Sequence, residues 1–331
     1  MMQLIMLTGQ RAFVAEILAI VRLPEKLKIK VEYMANPPLK IGLALGGGGA
    51  RGLAHIWAIK AIEELGLKVD LLAGTSIGAV IAAAHASGID GNDIADYVDE
   101  NMANAGKIAG QIFSASASEL VDLLNPFQPA LVNGLKLIEI LMPDTFASDF
   151  NELKIPLKVM TTNFYEGGEH IITSGDLKLA VAASMAIPAV FSPVIIDQHV
   201  YIDGAYANPV PYNVILDECN FSIAINVNGR PVKDKPVKAK LKITAKSKAR
   251  ALEEAKKMQV PNSRDVLYAS NQLMQNAIMA EKLKLSAPDI YVDAPIDQFK
   301  VMDFHKAKEI LRATESMKDD LKRKIAEHLD V

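Results

Sequence analysis

The chain has 331 residues, half of them hydrophobic, with 36 lysines and arginines against 39 aspartates and glutamates. A formal net charge of −3 gives no electrostatic support for nucleic-acid binding. Cys219 is the single cysteine, which excludes intramolecular disulfides and is typical of a reducing compartment such as the cytoplasm. The six histidines show no spacing typical of a zinc site, so we expect no structural metal.

Residues 1–38 are predicted to be an N-terminal extension ahead of the first core strand. Their longest apolar run, residues 12–21, is interrupted by Glu16 and is shorter than the ~20 residues of a membrane span. It has no small-residue cleavage site, which argues against a secretory signal. A short helix that docks on the domain or on a membrane is the interpretation it favours. Because Met34 stands directly before the first core strand, residues 1–33 are also candidates for a dispensable upstream segment.

Residues 39–228 alternate strand and helix patterns. The apolar run 39–45 predicts a buried strand, and apolar residues at helical spacing predict a helix over 53–65 that Gly66 ends. A second strand over 69–73 and a helix up to Gly88 follow. This order predicts an α/β domain with a mainly parallel central sheet.

The rest of this domain is predicted in less detail. Residues 89–152 read as helices and loops, with an apolar helix over 135–142, and their apolar faces pack on the core or line an acyl-chain site. The remaining predicted elements are a strand (156–163) paired by a hairpin with 170–173, a helix (177–186), a second hairpin (193–202) and a strand (219–227).

Composition changes after residue 228. Residues 229–262 are rich in lysine and predict a charged surface loop and helix, for which a solvated linker is favoured over contact with anionic lipid headgroups. Residues 263–331 predict a C-terminal helical region packed on the same domain. It consists of a helix (263–285), a strand (289–292) and one long helix (304–329).

The turn after the second strand is the strongest local motif. Gly74-Thr75-Ser76-Ile77-Gly78 stands between a strand and a helix, which is the pattern of a nucleophile elbow. Such a turn raises the Ser76 hydroxyl at a helix N-terminus, and Gly74 and Gly78 let strand and helix pass closely. The pentapeptide alone is equally compatible with an ordinary strand-to-helix connection that contains a serine.

A glycine run follows the first strand. The backbone N–H groups of Gly47, Gly48 and Gly49 are candidate donors to an oxyanion, which must approach the backbone closely. Together with Gly52 they also match the dinucleotide-binding pattern G-x-G-x-x-G. That pattern needs an acid at the end of the second strand, whereas Asp70 stands at its start. We therefore favour the oxyanion interpretation and expect no cofactor.

A third motif, Asp203-Gly204-Ala205, follows a later predicted strand. Acyl transfer needs a nucleophile, a base and an oxyanion hole, and Asp203 is the candidate base for Ser76. All three motifs follow the carboxyl ends of strands, where ligand sites form in open α/β sheets. A histidine triad remains the competing mechanism. His199 is its first candidate, because it shares a strand face with Asp203 by the period of two.

These three motifs together resemble those of patatin-like phospholipases, in particular of the small bacterial members related to neuropathy target esterase. Residues 184–188 and 208–211 add to the resemblance, which spans about 39–227. Gly46 departs from plant patatins, which carry aspartate there, but the bacterial branch commonly has glycine. The resemblance implies the fold class: α/β, a patatin-type three-layer α/β/α sandwich with a mainly parallel central sheet.

The resemblance also implies an activity. It predicts a serine lipid acyl hydrolase that needs no metal or cofactor and cleaves fatty-acyl esters of phospholipids or lysophospholipids. Ser76 would be the nucleophile and Asp203 the base of a dyad that forms an acyl-enzyme. Arg51 would help to position the oxyanion loop formed by Gly47, Gly48 and Gly49.

Three alternatives to this activity stay open. A thioesterase or a short-chain carboxylesterase would use the same dyad, and a membrane-docking or regulatory module would keep the fold without turnover. The expected partners are a lipid or acyl-ester substrate and, peripherally, a membrane surface, with no nucleic acid. The expected location is the cytoplasm, and the sequence does not indicate an oligomeric state.

Overall fold

The computed structural model describes residues 38–100, 141–142, 144–188, 190–230 and 263–329. Residues 41–331 belong to one compact unit. The predicted N-terminal extension up to residue 37 lies outside the described residues. So do most of the helices predicted between 101 and 142 and nearly all of the charged segment 229–262.

The described part of the chain contains one eight-stranded mixed sheet. Its strands are β1 (Ile41–Leu45), β2 (Leu71–Thr75), β3 (Leu157–Asn163), β4 (Glu169–Ile172), β5 (Val194–Ile196), β6 (His199–Asp203), β7 (Phe221–Asn226) and β8 (Ile290–Asp293). Four neighbouring pairs are parallel, in the order β3-β2-β1-β7-β8. The two hairpin regions add the antiparallel pairs β3–β4, β3–β6 and β5–β6. The predicted, mainly parallel central sheet is therefore confirmed.

Within the described ranges, six helices pack around this sheet, and residues 91–100 are also helical. They are α1 (His55–Glu64), α2 (Ile77–Ala86), α3 (Leu177–Ser184), α4 (Ser263–Leu285), α5 (Ala307–Thr314) and α6 (Ser316–Leu329). A 3₁₀ turn, Gly49–Ala54, leads directly into α1, so the end of the glycine loop is part of regular secondary structure. Gly66, with φ 70°, follows the end of α1 as predicted.

The single C-terminal helix predicted over 304–329 was wrong. The chain forms a 3₁₀ turn at Phe304–Lys306 and then two helices, α5 and α6, that divide at Glu315. The buried Thr314 hydroxyl donates to the carbonyl oxygens of Ile310 and Leu311 at 2.8 and 3.3 Å. Such back-bonding competes with the helical ladder and explains the break.

Two cores cover the two faces of the sheet. Ile41, Leu43 and Leu45 of β1 pack on one face with side chains of α1, α2, α3 and α6. Ala44 lies on the other face, in a core that includes Met279 of α4. This alternation along β1 confirms the predicted three-layer α/β/α arrangement.

The order of the strands locates a crevice between β1 and β7. The chain proceeds from β1 through β2 to β3 in one direction across the sheet, and from β7 to β8 in the other. Right-handed crossovers then place the connecting helices on opposite faces, as the two cores show. Ligands bind in such sheets beyond the carboxyl ends of the strands, where the direction reverses. The loops after β1 and β7 flank this point.

Candidate active site

The candidate nucleophile lies on a sharp turn between β2 and α2. Ser76 has φ 55° and ψ −125°, a backbone conformation uncommon for a residue with a side chain. A Cβ added to Gly74 would lie 2.5 Å from Ala79 Cα, and one on Gly78 would lie 2.1 Å from the Leu45 carbonyl oxygen. Strand and helix therefore pass as closely as the motif predicts, and the turn holds Ser76 at the N-terminus of α2.

Ser76 and Asp203 are joined by a hydrogen bond. Ser76 Oγ donates to Asp203 Oδ2 at 2.7 Å, and the two residues are only 3% and 2% exposed. Asp203 Oδ1 accepts from the Ala205 N–H at 2.8 Å. Burial raises the pKa of Asp203 to about 6, although the hydrogen bonds from Ala205 and Ser76 lower it. This carboxylate is a better base than an exposed aspartate and is still ionised at neutral pH.

The meeting of these two residues depends on the register of three strands. Met160 of β3 pairs with Thr75 of β2, and the next residue, Thr161, pairs with Asp203 of β6. Because β4 occupies the other edge of β3 at both positions, β2 and β6 share one edge and meet end to end. Ser76 directly follows Thr75, so this arrangement brings it to Asp203. The rule that ligand sites form at the carboxyl ends of parallel strands does not predict this contact, because β6 is antiparallel to β2.

The glycine loop borders Ser76 and Asp203. The Gly47 N–H donates to the Pro209 carbonyl oxygen at 2.9 Å and is therefore already engaged. Within the described residues, the N–H groups of Gly48 and Gly49 have no such acceptor. A Cβ on Gly48 would lie 2.4 Å from the Val227 carbonyl oxygen, and Gly49 has φ 58°, so glycine is required at both positions.

Two further residues of the motif tie the loop to its surroundings. Arg51 is 1% exposed, and its Nε donates to the Gly48 carbonyl oxygen at 3.1 Å. Burial lowers the pKa of Arg51 to about 10, while Asp297 and Asp303 raise it, so the guanidinium remains charged at neutral pH. A Cβ on Gly52 would lie 2.2 Å from a methyl carbon of Ile77, which shows that loop and elbow are in direct contact.

The chain matches a known protein family over this region. Residues 43–216, just over half of the chain, match the family model for patatin-like phospholipase. The chain belongs to the patatin-like phospholipase family. An uncharacterized NTE family protein of Mycobacterium tuberculosis is 30% identical over 210 residues, which are 62% of this chain and 54% of that protein. Neuropathy target esterase of Drosophila melanogaster is 32% identical over 180 residues, which are 53% of this chain and 12% of that protein.

Solved structures also resemble this patatin-like chain. The ExoU–SpcU complex of Pseudomonas aeruginosa matches over 89% of this chain and 53% of the matched chain, at 13% identity and a TM-score of 0.45. Human GIVD cytosolic phospholipase A2 in complex with methyl gamma-linolenyl fluorophosphonate matches over 98% and 63%, at 11% identity and a TM-score of 0.40. The chain spans about half the length of the mycobacterial relative, so its activity is argued from its own residues.

One serine to which the sequence assigned no role anchors Ser76 in this patatin-like chain. Buried Ser184, at the end of α3, accepts from the Ser76 N–H at 2.8 Å and donates to the Met160 carbonyl oxygen at 2.6 Å. Ala186, two residues later, accepts from the Asp203 N–H at 3.0 Å. The end of α3 and the segment after it thus hold the backbone of both Ser76 and Asp203. Its resemblance to the family was visible in the sequence, but the contact was not.

A cleft opens at Ser76 and Asp203, and the C-terminal region supplies part of its wall. α4, outside the family-matched residues, is held to Asn228 by three hydrogen bonds. Gln272 Nε2 donates to the Asn228 carbonyl oxygen at 2.8 Å, and Asn228 Nδ2 donates to the Gln272 carbonyl oxygen at 3.2 Å and to Asn276 Oδ1 at 2.9 Å. The sequence predicted this helix but gave it no role in the site. The lining residues beyond the motifs are Ile187, Tyr206, Asn228, Tyr268, Asn271, Gln272, Gln275 and Val301.

The histidines lie elsewhere. None of the six, all within the described residues, hydrogen-bonds to Ser76 or lines the cleft. His55 is buried behind the glycine loop, where its Nε2 donates to the Gly46 carbonyl oxygen at 2.8 Å, and burial lowers its pKa to about 4. The His199 imidazole is 48% exposed, and its Nδ1 donates to the Asp197 carbonyl oxygen at 2.9 Å.

The acidic residue that a dinucleotide-binding site would need is also not near the glycine loop. Asp70 Oδ2 accepts from the N–H of Ile41, the first residue of β1, at 2.7 Å. The loop follows the last residue of the same strand, so Asp70 and the loop lie at opposite ends of β1. Among the described residues, no three His, Cys, Asp or Glu side chains are grouped as metal ligands would be.

Proposed function

We propose that this chain is a serine lipid acyl hydrolase that cleaves fatty-acyl ester bonds of phospholipids or lysophospholipids through a Ser76–Asp203 dyad. The observation that carries the proposal is the 2.7 Å hydrogen bond from Ser76 Oγ to the buried Asp203 carboxylate. The unengaged N–H groups of Gly48 and Gly49 beside it support an oxyanion hole, and membership of the family supports a lipid ester as substrate.

The first half of the reaction forms an acyl-enzyme. Ser76 Oγ attacks the ester carbonyl carbon while its proton passes to Asp203 Oδ2. Negative charge develops on the carbonyl oxygen, where the Gly48 and Gly49 N–H groups and the N-terminus of α2 stabilise it. The bond to the alcohol oxygen then breaks, and the leaving alcohol takes the proton from Asp203.

The second half releases the acyl group. A water molecule attacks the acyl carbon of the Ser76 ester while Asp203 accepts its proton. The same N–H groups stabilise the second tetrahedral intermediate. Collapse of this intermediate frees the fatty acid, and the proton on Asp203 returns to Ser76 Oγ.

The outer face of α4 supports peripheral contact with a lipid surface. Val266, Leu267, Leu273 and Met274 are each about half exposed, and by helical periodicity they lie opposite the residues that line the cleft. None of the described helices is apolar over a length that would cross a bilayer.

The function is tested by comparing wild type with Ser76→Ala. We expect wild type to release fatty acid from lysophospholipid and to react with a fluorophosphonate probe, and Ser76→Ala to lose both by at least about 10³-fold, since the nucleophile is gone. Ser316→Ala, at an exposed serine of α6, is the matched control and should behave as wild type. Turnover retained in Ser76→Ala, or a folded wild type that hydrolyses no ester, would refute the proposal. Faster turnover of acyl thioesters would select the thioesterase alternative.

The pH profile should show an acid limb set by Asp203. Because burial raises the pKa of Asp203 to about 6, the base is protonated below that pH, and kcat/KM should fall about tenfold per pH unit there. The measurement is kcat/KM for a water-soluble ester from about pH 5 to 8.

Recovery of activity after return to neutral pH controls for unfolding. The buried His55, whose pKa is lowered to about 4, favours unfolding as the pH falls below its ordinary value, because the unfolded chain then binds more protons. Full activity at pH 5 would contradict the assignment of Asp203 as the base.

A further inference from the structure

A turn outside the family-matched residues packs against the glycine loop. We call residues 294–303, which follow β8, the C-terminal turn. Within it, the Val301 carbonyl oxygen accepts from the Ala50 N–H at 2.7 Å, and a Cβ on Gly49 would lie 2.2 Å from the same oxygen. Val301 also lines the cleft. The C-terminal turn therefore contacts the loop at Ala50 and at Gly49, which carries one of the two unengaged N–H groups.

The same turn contributes a carboxylate next to Arg51. A Cβ on Gly229, which has φ 63°, would lie 2.9 Å from Arg51 Nη1 and 3.1 Å from Asp297 Oδ1, so both atoms border one small space. Asp297 Oδ1 accepts from the Arg230 N–H at 2.8 Å, which fixes the carboxylate. Arg51 in turn donates to the Gly48 carbonyl oxygen. The Asp297 carboxylate therefore lies near the guanidinium without a direct ion pair among the described residues, and Arg51 itself contacts the loop.

The charge of Asp297 compensates in part for the burial of the Arg51 guanidinium. A guanidinium buried to this degree is costly unless opposite charges compensate for lost hydration. Burial lowers the pKa of Arg51, and the charges of Asp297 and Asp303 oppose that effect. Asp303 Oδ2 is already occupied by the Lys300 N–H and by Lys306 Nζ, each at 3.0 Å. Of these two aspartates, Asp297 is therefore the one whose charge can be removed while fewer other interactions are disturbed.

We propose that Asp297 is a positioning residue for acyl transfer. Through Arg51 it holds the glycine loop so that the Gly48 and Gly49 N–H groups converge on the oxyanion. Donors of this kind must be held to within about half an ångström to be effective. The inference rests on the proposed function, and it makes the C-terminal turn part of the active site although the family-matched residues end at 216.

The test is Asp297→Asn, which keeps the shape and an acceptor for the Arg230 N–H but removes the charge. We expect kcat for a short-chain aryl ester to fall about tenfold, a fraction of the 10²–10³ lost with a whole oxyanion donor, while KM stays within about twofold. The affinity for an acyl trifluoromethyl ketone, whose adduct with Ser76 carries an oxyanion, should fall by a similar factor. Titration with a fluorophosphonate counts the active sites, so that a smaller folded fraction is not mistaken for slower turnover.

Two further variants complete the design. Asp293→Asn makes the same charge change in β8, where Asp293 Oδ1 accepts from Asn226 Nδ2 at 2.8 Å, and should match wild type. Asp297→Glu restores the charge and should recover most of the activity. Wild-type kcat in Asp297→Asn, or a fall in kcat with unchanged inhibitor affinity, overturns the inference. A wild-type chain that neither hydrolyses esters nor reacts with the fluorophosphonate overturns the proposed function instead.

Discussion

Asp203→Asn is expected to lower kcat for ester hydrolysis by about 10³–10⁴-fold while the protein stays folded. Asparagine is close in shape to aspartate, and its carbonyl oxygen can still accept one of the hydrogen bonds from Ser76 Oγ and the Ala205 N–H. It cannot accept the Ser76 proton, so attack on the ester loses its base. The measurement is single-turnover acylation together with the rate of fluorophosphonate labelling.

The stability of this variant provides a second readout. The folded-state pKa of Asp203 is raised, so ionisation of the carboxylate disfavours folding, and this cost grows as the pH rises through about 6. Removing the charge should therefore not lower the free energy of unfolding at pH 7. Asp197→Asn, in the exposed turn that precedes β6, is the matched control and should leave both activity and stability unchanged. Labelling and turnover that persist in Asp203→Asn would refute the assignment of Asp203 as the base.

Gly78→Ala is expected to reduce the free energy of unfolding by about 3 kcal/mol and to abolish turnover. The added methyl would lie 2.1 Å from the Leu45 carbonyl oxygen and 2.7 Å from that of Gly46. These are backbone atoms at the end of β1, which is paired on both sides by β2 and β7 and cannot easily move. α2 must shift instead, and Ser76 at its N-terminus shifts with it.

Gly175→Ala is the control for this substitution. Gly175 has φ 85° with nothing within 4 Å of an added Cβ, so it reports only the cost of the left-handed conformation, about 1 kcal/mol. The comparison uses denaturant midpoints for stability and turnover per titrated active site for activity. Equal stability of the two variants would show that the elbow is less tightly packed than the contacts indicate.

Much of the fold is readable from short stretches of this sequence. Apolar runs predicted the strands within about two residues, and turn glycines predicted the helix ends, because both signals come from neighbours in the chain. The G-x-S-x-G turn predicted the elbow for the same reason, since the close contact at Gly74 is with Ala79, only five positions later in the chain. The helix predicted over 304–329 was wrong because hydrophobic periodicity carries no information about the hydrogen bond from the Thr314 hydroxyl to the Ile310 carbonyl oxygen.

The tertiary structure alone decided how these pieces form a site. Asp203 reaches Ser76, 127 positions earlier in the chain, because β2 and β6 meet end to end on one edge of β3. Ser184 accepts from the Ser76 N–H, 108 positions away, and the C-terminal turn provides the charge of Asp297 near Arg51. No local pattern encodes such contacts, because strand register and the order of crossovers are set by packing of the whole chain. The sequence determined which residues can do chemistry, and the packing of distant segments determined which of them meet.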